Sequence, residues 1–233
     1  MRSFLGWVVL IALLGAVAYV LAPMVVRPLV ADAVRAVSPF GSEPLEVDAT
    51  VSTDGLLRGT IDSIHVTGAD LTSDRLLIGR LDITASGVGV LDRDVRSLTG
   101  SLETVAIRRA DGMLLQASGV RLSGPSDAVV VAATVGREET IEIVRHALAN
   151  PGLPAGDVAL IDGGVRVYIL GRRTDFSLGA VDGGIALAGS LAGGQPIAVF
   201  GPEPGDPWQI TSVSATPDGL EVHALVDLGA ALR

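Results

Sequence analysis

The stretch Ser212–Leu228, SVSATPDGLEVHALVDL, decides the fold because apolar side chains recur at every second position of its last part. Asp218-Gly219 comes just before the alternating part, and an Asp-Gly pair is typical of a tight turn. A period of two predicts a strand with one apolar face and one solvated face. We therefore expect the chain to close with an antiparallel hairpin whose apolar face carries Leu220, Val222, Ala224, Val226 and Leu228.

The same signals recur along the rest of the chain. In LLIGRLDITA, Leu76–Ala85, the alternation places Leu77, Leu81 and Ile83 on one face of a predicted strand. Asp-Gly pairs separate runs of this kind, which predicts a ladder of hairpins in one antiparallel sheet. The five pairs are Asp54-Gly55, Asp111-Gly112, Asp162-Gly163, Asp182-Gly183 and Asp218-Gly219.

Two segments have helical rather than strand periodicity. REETIEIVRHALAN, Arg137–Asn150, is acidic at its start and basic near its end, which suits the helix dipole, and Pro151 ends it. A shorter amphipathic helix is predicted after Pro28. The predicted fold class is α+β: a strongly curved antiparallel sheet wrapped around one or two helices, preceded by an N-terminal transmembrane helix.

The N-terminal segment has the length and composition of a membrane anchor. Phe4–Val26 contains no charged residue, and as a helix its residues would span roughly 34 Å, enough for the hydrocarbon core. A cleaved signal peptide is the alternative, with Ala16-Val17-Ala18 as its site. We predict an anchor over residues 1–26 and a domain over 27–233. The protein would be a single-pass cell-membrane protein whose C-terminal domain lies outside the cytoplasm, periplasmic or extracytoplasmic.

Composition excludes several functional classes. The chain of 233 residues has a net charge of −9, which argues against a nucleic-acid partner. It has no cysteine, so disulfides, thiolate metal sites and thiol nucleophiles are excluded. Hydrophobic residues make up 48% and aromatic residues 3%. The interior is therefore expected to be aliphatic.

No catalytic or metal-binding constellation is visible. The three histidines, His65, His146 and His223, have no partners at metal-ligand spacing. Asp92 and Asp94 form a D-x-D pair, but the flanking arginines favour a solvated loop. We predict a non-enzymatic protein without a cofactor or metal.

Three stretches together resemble the bacterial phospholipid-binding envelope proteins linked to lipomannan elongation. They are LLRGTIDSIHVTGADL (Leu56–Leu71), EETIEIVRHAL (Glu138–Leu148) and WQITSVSATPDGLEVHALVDL (Trp208–Leu228). The resemblance implies a curved sheet around a helix, similar to tubular lipid-binding domains, and binding of phospholipid. It implies no catalytic residues.

The leading functional hypothesis is a phospholipid-binding or lipid-transfer protein of the cell envelope, with acyl chains in an apolar trough. Arg172 and Arg173 are candidates for contacting headgroups at the mouth. A membrane-tethered scaffold with a filled core is the alternative, and an enzyme acting on envelope glycans is a third reading. The predicted trough residues are Leu77, Leu81, Ile83, Ile141, Val144, Val222 and Val226.

Overall fold

The computed structural model describes residues 31–32, 45–73, 76–89, 94–108, 114–149, 152–153, 155–189, 195–202, 205–227 and 230. Strands account for 69% and helices for 13% of these residues. The predicted anchor, Phe4–Val26, lies outside them. No helix among the described residues is long and apolar enough to cross a membrane. Of the helix predicted after Pro28, only Ala31 and Asp32 are described, and both are helical.

The first antiparallel sheet has eight strands in the order β1-β2-β3-β4-β5-β6-β13-β12. Six consecutive strands form its meander, and the C-terminal hairpin then returns to pair with β6. The strands are β1 (Leu45–Thr50), β2 (Thr60–Thr72), β3 (Leu76–Gly89), β4 (Val95–Arg108), β5 (Leu114–Gly124), β6 (Val129–Gly136), β12 (Trp208–Thr216) and β13 (Gly219–Val226).

The second antiparallel sheet has five strands in the order β11-β10-β9-β8-β7. It packs on one end of the large sheet, where β12 contacts β7, β8, β9 and β10. Its strands are β7 (Ala155–Ile161), β8 (Gly164–Ile169), β9 (Arg172–Val181), β10 (Gly184–Ala188) and β11 (Ile197–Phe200).

Among the described residues, two helices lie between these strands. The short α1 (Thr53–Leu57) packs on β2, and α2 (Arg137–Ala149) contacts β6 and β13 of the large sheet and β7 and β11 of the small one. Thr140 is fully buried in α2, and its hydroxyl donates to the Gly136 carbonyl at 2.7 Å. The helix predicted over Arg137–Asn150 is confirmed as far as Ala149, and Asn150 lies outside the described residues.

The predicted fold class is wrong. The described chain is mostly β, its sheets are not strongly curled, and the strands form two sheets rather than one wrapped around a helix. The physical reason is that the apolar face of the small sheet packs against β12, while α2 contacts β13 and closes the same core. Two sheets can bury their apolar faces against each other without either curling around a helix.

The Asp-Gly pairs have three different outcomes. Three of them lie at connections between adjacent antiparallel strands as predicted: 162–163 and 182–183 form the turns, and 218–219 ends one, with Gly219 already the first residue of β13. Asp111-Gly112 lies outside the described residues. Asp54-Gly55 belongs to α1 instead, because Ser52 caps this helix and its hydroxyl accepts a hydrogen bond from the Gly55 amide at 3.0 Å.

Candidate functional site

One row of cross-strand neighbours runs over all eight strands of the large sheet and contains only apolar residues and glycine. Directly paired residues project to the same side of an antiparallel sheet, so the row defines one face. Its members in strand order are Val47, Val66, Ile83, Gly100, Leu122, Val131, Ala224 and Ile210.

The adjacent row, one residue along each strand, projects to the opposite face and is polar over β1–β5. It contains Asp48, His65, Thr84, Thr99 and Ser123. Ion pairs lie on this face: His65 Nε2 is 3.0 Å from Asp82 Oδ1, and Arg80 is 3.2 Å from Glu103. The first five strands are therefore strongly amphipathic.

We call the apolar side of β1–β5 the aliphatic face. Leu45, Leu71, Ile78 and Leu81 form a buried cluster on it, with Val47, Val66, Ile83 and Leu102 partly buried against them. This cluster is separate from the main core, to which no residue of β1–β5 contributes among the described residues. Besides Leu71 and Ile78, the apolar side chains of the face are Leu45, Val47, Ala49, Ile64, Val66, Leu81, Ile83, Ala85, Leu98, Leu102, Val120 and Leu122.

The second sheet packs on the other end of the large sheet. The main core joins α2, the small sheet, β12 and β13, and its fully buried members include Val144, Leu148, Val165, Val167 and Leu187. Among the described elements, α1 is the one outside the sheet that makes substantial contact with β1–β5, through β2. The aliphatic face is thus the part of the large sheet that this core does not use.

The structure divides the predicted trough residues between these two regions. Leu81 and Ile83 lie in the cluster on the aliphatic face. Val144 is fully buried in the main core, and Ile141 and Val222 pack against that core. Val222 projects to the same side of the large sheet as Leu81 and Ile83, but it packs with the helix residues against the main core, whereas Leu81 and Ile83 lie in the separate cluster.

The other two predicted residues lie elsewhere. Leu77 is 40% exposed, whereas its neighbour Ile78 is 5% exposed and belongs to the cluster. The buried positions of β3 here, Ile78 and Leu81, are three residues apart, so the alternation changes phase between them. The change lies beside Asp70 of β2, which has a left-handed φ of 53°. Val226 is partly buried between its cross-strand partners Val129 and Trp208.

Sequence reasoning missed Leu122, Val66 and Leu102 as members of this face. The sequence does show alternating apolar residues in each of these strands, for example Val120 and Leu122 on either side of Arg121. Cross-strand register was the missing information, because alternation in single strands does not reveal which residues become neighbours.

The polar side chains of the described residues form no metal centre. No group of three or more His, Cys, Asp or Glu side chains among them is arranged to hold a metal ion. Asp94, half of the D-x-D pair, accepts a hydrogen bond from the Ser126 hydroxyl at 2.7 Å. Asp92 lies outside the described residues. His223 is 3.4 Å from Glu221.

The strongest electrostatic feature is on β8 and β9. Arg166 donates to Asp175 from Nε at 2.9 Å and from a terminal nitrogen at 3.1 Å, and Arg173 donates to the same carboxylate at 3.2 Å. Hydrogen bonds from Arg166, and secondarily from Arg173, hold the pKa of Asp175 well below its ordinary value. The carboxylate fixes two arginines on the outer side of this hairpin.

Replacing Asp175 with Asn should change how stability depends on pH. The pKa of Asp175 is lower in the folded chain than in the unfolded one, so its contribution is present above about pH 4 and is lost as pH falls further. We expect the wild-type melting temperature to exceed that of Asp175→Asn at neutral pH and the difference to shrink in acid. A difference that is constant from pH 7 to pH 3 would contradict this linkage.

The β8–β9 turn carries an apolar residue in an unusual backbone conformation. Leu170 has a φ of 49° and is followed by Gly171 with a φ of 78°. Two consecutive left-handed residues in a two-residue hairpin form a type I′ turn, where Asn-Gly is preferred. Leu170 is also 85% exposed, so packing against the rest of the protein does not explain why a leucine occupies this position.

Replacing Leu170 with Asn should therefore stabilise the protein. Asn adopts the left-handed conformation with less steric cost than Leu, and the gain is about 1 kcal/mol. The measurement is the denaturant midpoint of the full chain in detergent, with Leu57→Asn as control because Leu57 is also exposed but helical. A lower midpoint for Leu170→Asn would show that the leucine makes a stabilising contact.

Comparison with protein-family models, with curated proteins and with solved structures finds no match. The resemblance to the phospholipid-binding envelope family therefore stays a prediction, carried by the three sequence stretches alone.

Proposed function

We propose that the protein is a non-enzymatic phospholipid-binding protein of the bacterial cell envelope, and that acyl chains lie on its aliphatic face. The observation that carries the proposal is the row of apolar residues and glycine across β1–β5, outside the main core. The predicted N-terminal anchor would hold this domain at the membrane that supplies the lipid.

The chemistry of the face suits acyl chains. Its side chains are Val, Ile, Leu and Ala, without aromatic or charged groups, so it offers broad hydrophobic contact and no directional bonds. A saturated chain gains about 0.8 kcal/mol for each methylene removed from water. Binding by this surface would discriminate weakly among acyl chains, and selectivity would come from headgroup contacts at its edges.

The site differs from the trough expected from sequence. Leu81 and Ile83 remain candidate contacts, joined by Val66, Leu102 and Leu122. Val144 has no exposed surface, so it would not contact lipid and would instead stabilise the main core. Ile141 and Val222 pack against that same core.

A scaffold is the second candidate function. The main core is a continuous cluster of buried residues from both sheets and α2, which suits a protein without an internal ligand. In that reading, the aliphatic face would be covered by protein, either a partner or the segment before β1.

Native mass spectrometry of the full chain, extracted from the bacterial membrane in a mild detergent, distinguishes the two functions. We expect a series of added masses that fragment as phospholipid and that persist after detergent removal in the gas phase. A lipid-free chain under conditions that preserve lipid on a known lipid-binding protein would reject the proposal and favour the scaffold.

A further inference from the structure

The tip of the β8–β9 hairpin combines apolar and basic groups on one protrusion. We call residues 168–173, with the sequence YILGRR, the hairpin tip. Leu170 is 85% exposed and Tyr168 is 43% exposed, whereas Ile169 between them is 5% exposed and belongs to the main core. The buried Ile169 thus fastens the tip to the domain while its two neighbours project outward.

The charge of the hairpin tip differs from that of the whole protein. The tip contains Arg172 and Arg173 and no acidic residue, in a chain with a net charge of −9. Both arginines are exposed. On the strands behind the tip, Asp175 binds Arg166 and Arg173, and Asp157 of β7 is exposed. The cationic character is therefore local to the end of the hairpin.

We propose that the hairpin tip docks into the interface of an anionic phospholipid membrane. Leu170 would enter the acyl boundary, Tyr168 would sit at headgroup depth, where tyrosine is enriched, and the two arginines would contact phosphate groups. The left-handed leucine supports this assignment, since the turn chemistry favours Asn at that position and the side chain makes no compensating burial in the protein.

The partner is a membrane rather than a soluble anion because the most exposed group of the tip is aliphatic. A phosphate ligand alone would be bound by the arginines and would leave Leu170 in water. The proposal relies on the predicted anchor only for proximity to the membrane, and it does not require lipid on the aliphatic face. The bound-lipid measurement and the test below can therefore fail independently.

The absence of cysteine from the chain permits a direct test with a single thiol. The full-length Leu170→Cys variant is labelled with the fluorophore NBD and reconstituted into nanodiscs of phosphatidylglycerol and phosphatidylcholine in equal amounts. Leu57→Cys is the matched control, because Leu57 is 82% exposed but lies on α1. Tyr168→Cys provides a second reporter if the first variant does not fold.

We expect the emission of the Leu170 label to shift to the blue and to be quenched by nitroxide-bearing lipids, while the Leu57 label stays unshifted. Adding Arg172→Glu should reduce the shift, as should discs made of phosphatidylcholine alone. An unshifted label at both tip positions would overturn the proposal, and so would an equal shift at Leu57. A shift that is the same in both kinds of disc would overturn the role of anionic headgroups.

Discussion

Replacing Val144 with Asp should destabilise the protein strongly. Val144 has 0% exposure and lies among Leu148, Val165 and Val167 in the main core. The new carboxylate would be buried without a partner, and the apolar contacts of the valine would be lost. We expect a loss of about 4 kcal/mol or more in the free energy of unfolding. That is a large share of the roughly 5–15 kcal/mol that stabilises a typical domain.

Chemical denaturation of the full chain in detergent, followed by circular dichroism, measures this effect. Val130→Asp is the matched control because it makes the same substitution at a residue that is 40% exposed. Its cost should be about 1 kcal/mol, the range spanned by residue preferences in strands. Equal costs at the two positions would mean that α2 does not pack into the core as described.

Replacing Ile83 with Asp should abolish most phospholipid binding while the protein stays folded. Ile83 is partly buried at the centre of the apolar row, between Val66 and Gly100. A carboxylate there would face the acyl chains, and a charge in a hydrocarbon layer costs about 3 kcal/mol, or roughly a hundredfold in affinity. The measurement is phospholipid retained per chain after purification, with the melting temperature recorded for the same sample.

Thr84→Asp is the control for that experiment because it adds the same carboxylate one residue along β3, on the opposite face. Thr84 lies between His65 and Thr99 in the polar row. We expect its bound phospholipid to equal that of the wild type. Equal lipid in Ile83→Asp and Thr84→Asp would remove β3 from the lipid site.

Local sequence patterns predicted the elements of this fold better than their assembly. The alternation in GLEVHALV correctly predicts β13, and the charges and apolar spacing of Arg137–Ala149 correctly predict α2. The division into two sheets was not predictable in this way. Pairing of β13 with β6 joins segments separated by α2 and the entire small sheet. Local periodicity carries no information about such distant pairing.

Sequence patterns likewise predicted only part of the candidate site. Leu81 and Ile83 were predicted on one face and do share it, but Leu77 was assigned by continuing the alternation through a change of phase near Gly79. Helix residues such as Val144 were included among the predicted trough residues because an apolar stripe on a helix predicts that its side chains are buried. Periodicity alone does not distinguish a stripe that packs on protein from one that contacts lipid. Arg172 and Arg173 were noted, but the strained and exposed Leu170 required backbone geometry.

Photo-crosslinking with a phospholipid that carries a diazirine near the end of one acyl chain tests directly whether acyl chains lie on the aliphatic face. The lipid is incorporated with the full chain in nanodiscs and irradiated, and the modified residues are located by mass spectrometry. We expect crosslinks on the aliphatic face, centred on Val66, its partner Ile83, and Leu122, which lies in the same row beyond Gly100 of β4. Crosslinks confined to residues 1–44, or none on β1–β5 above those on the polar face, would contradict it.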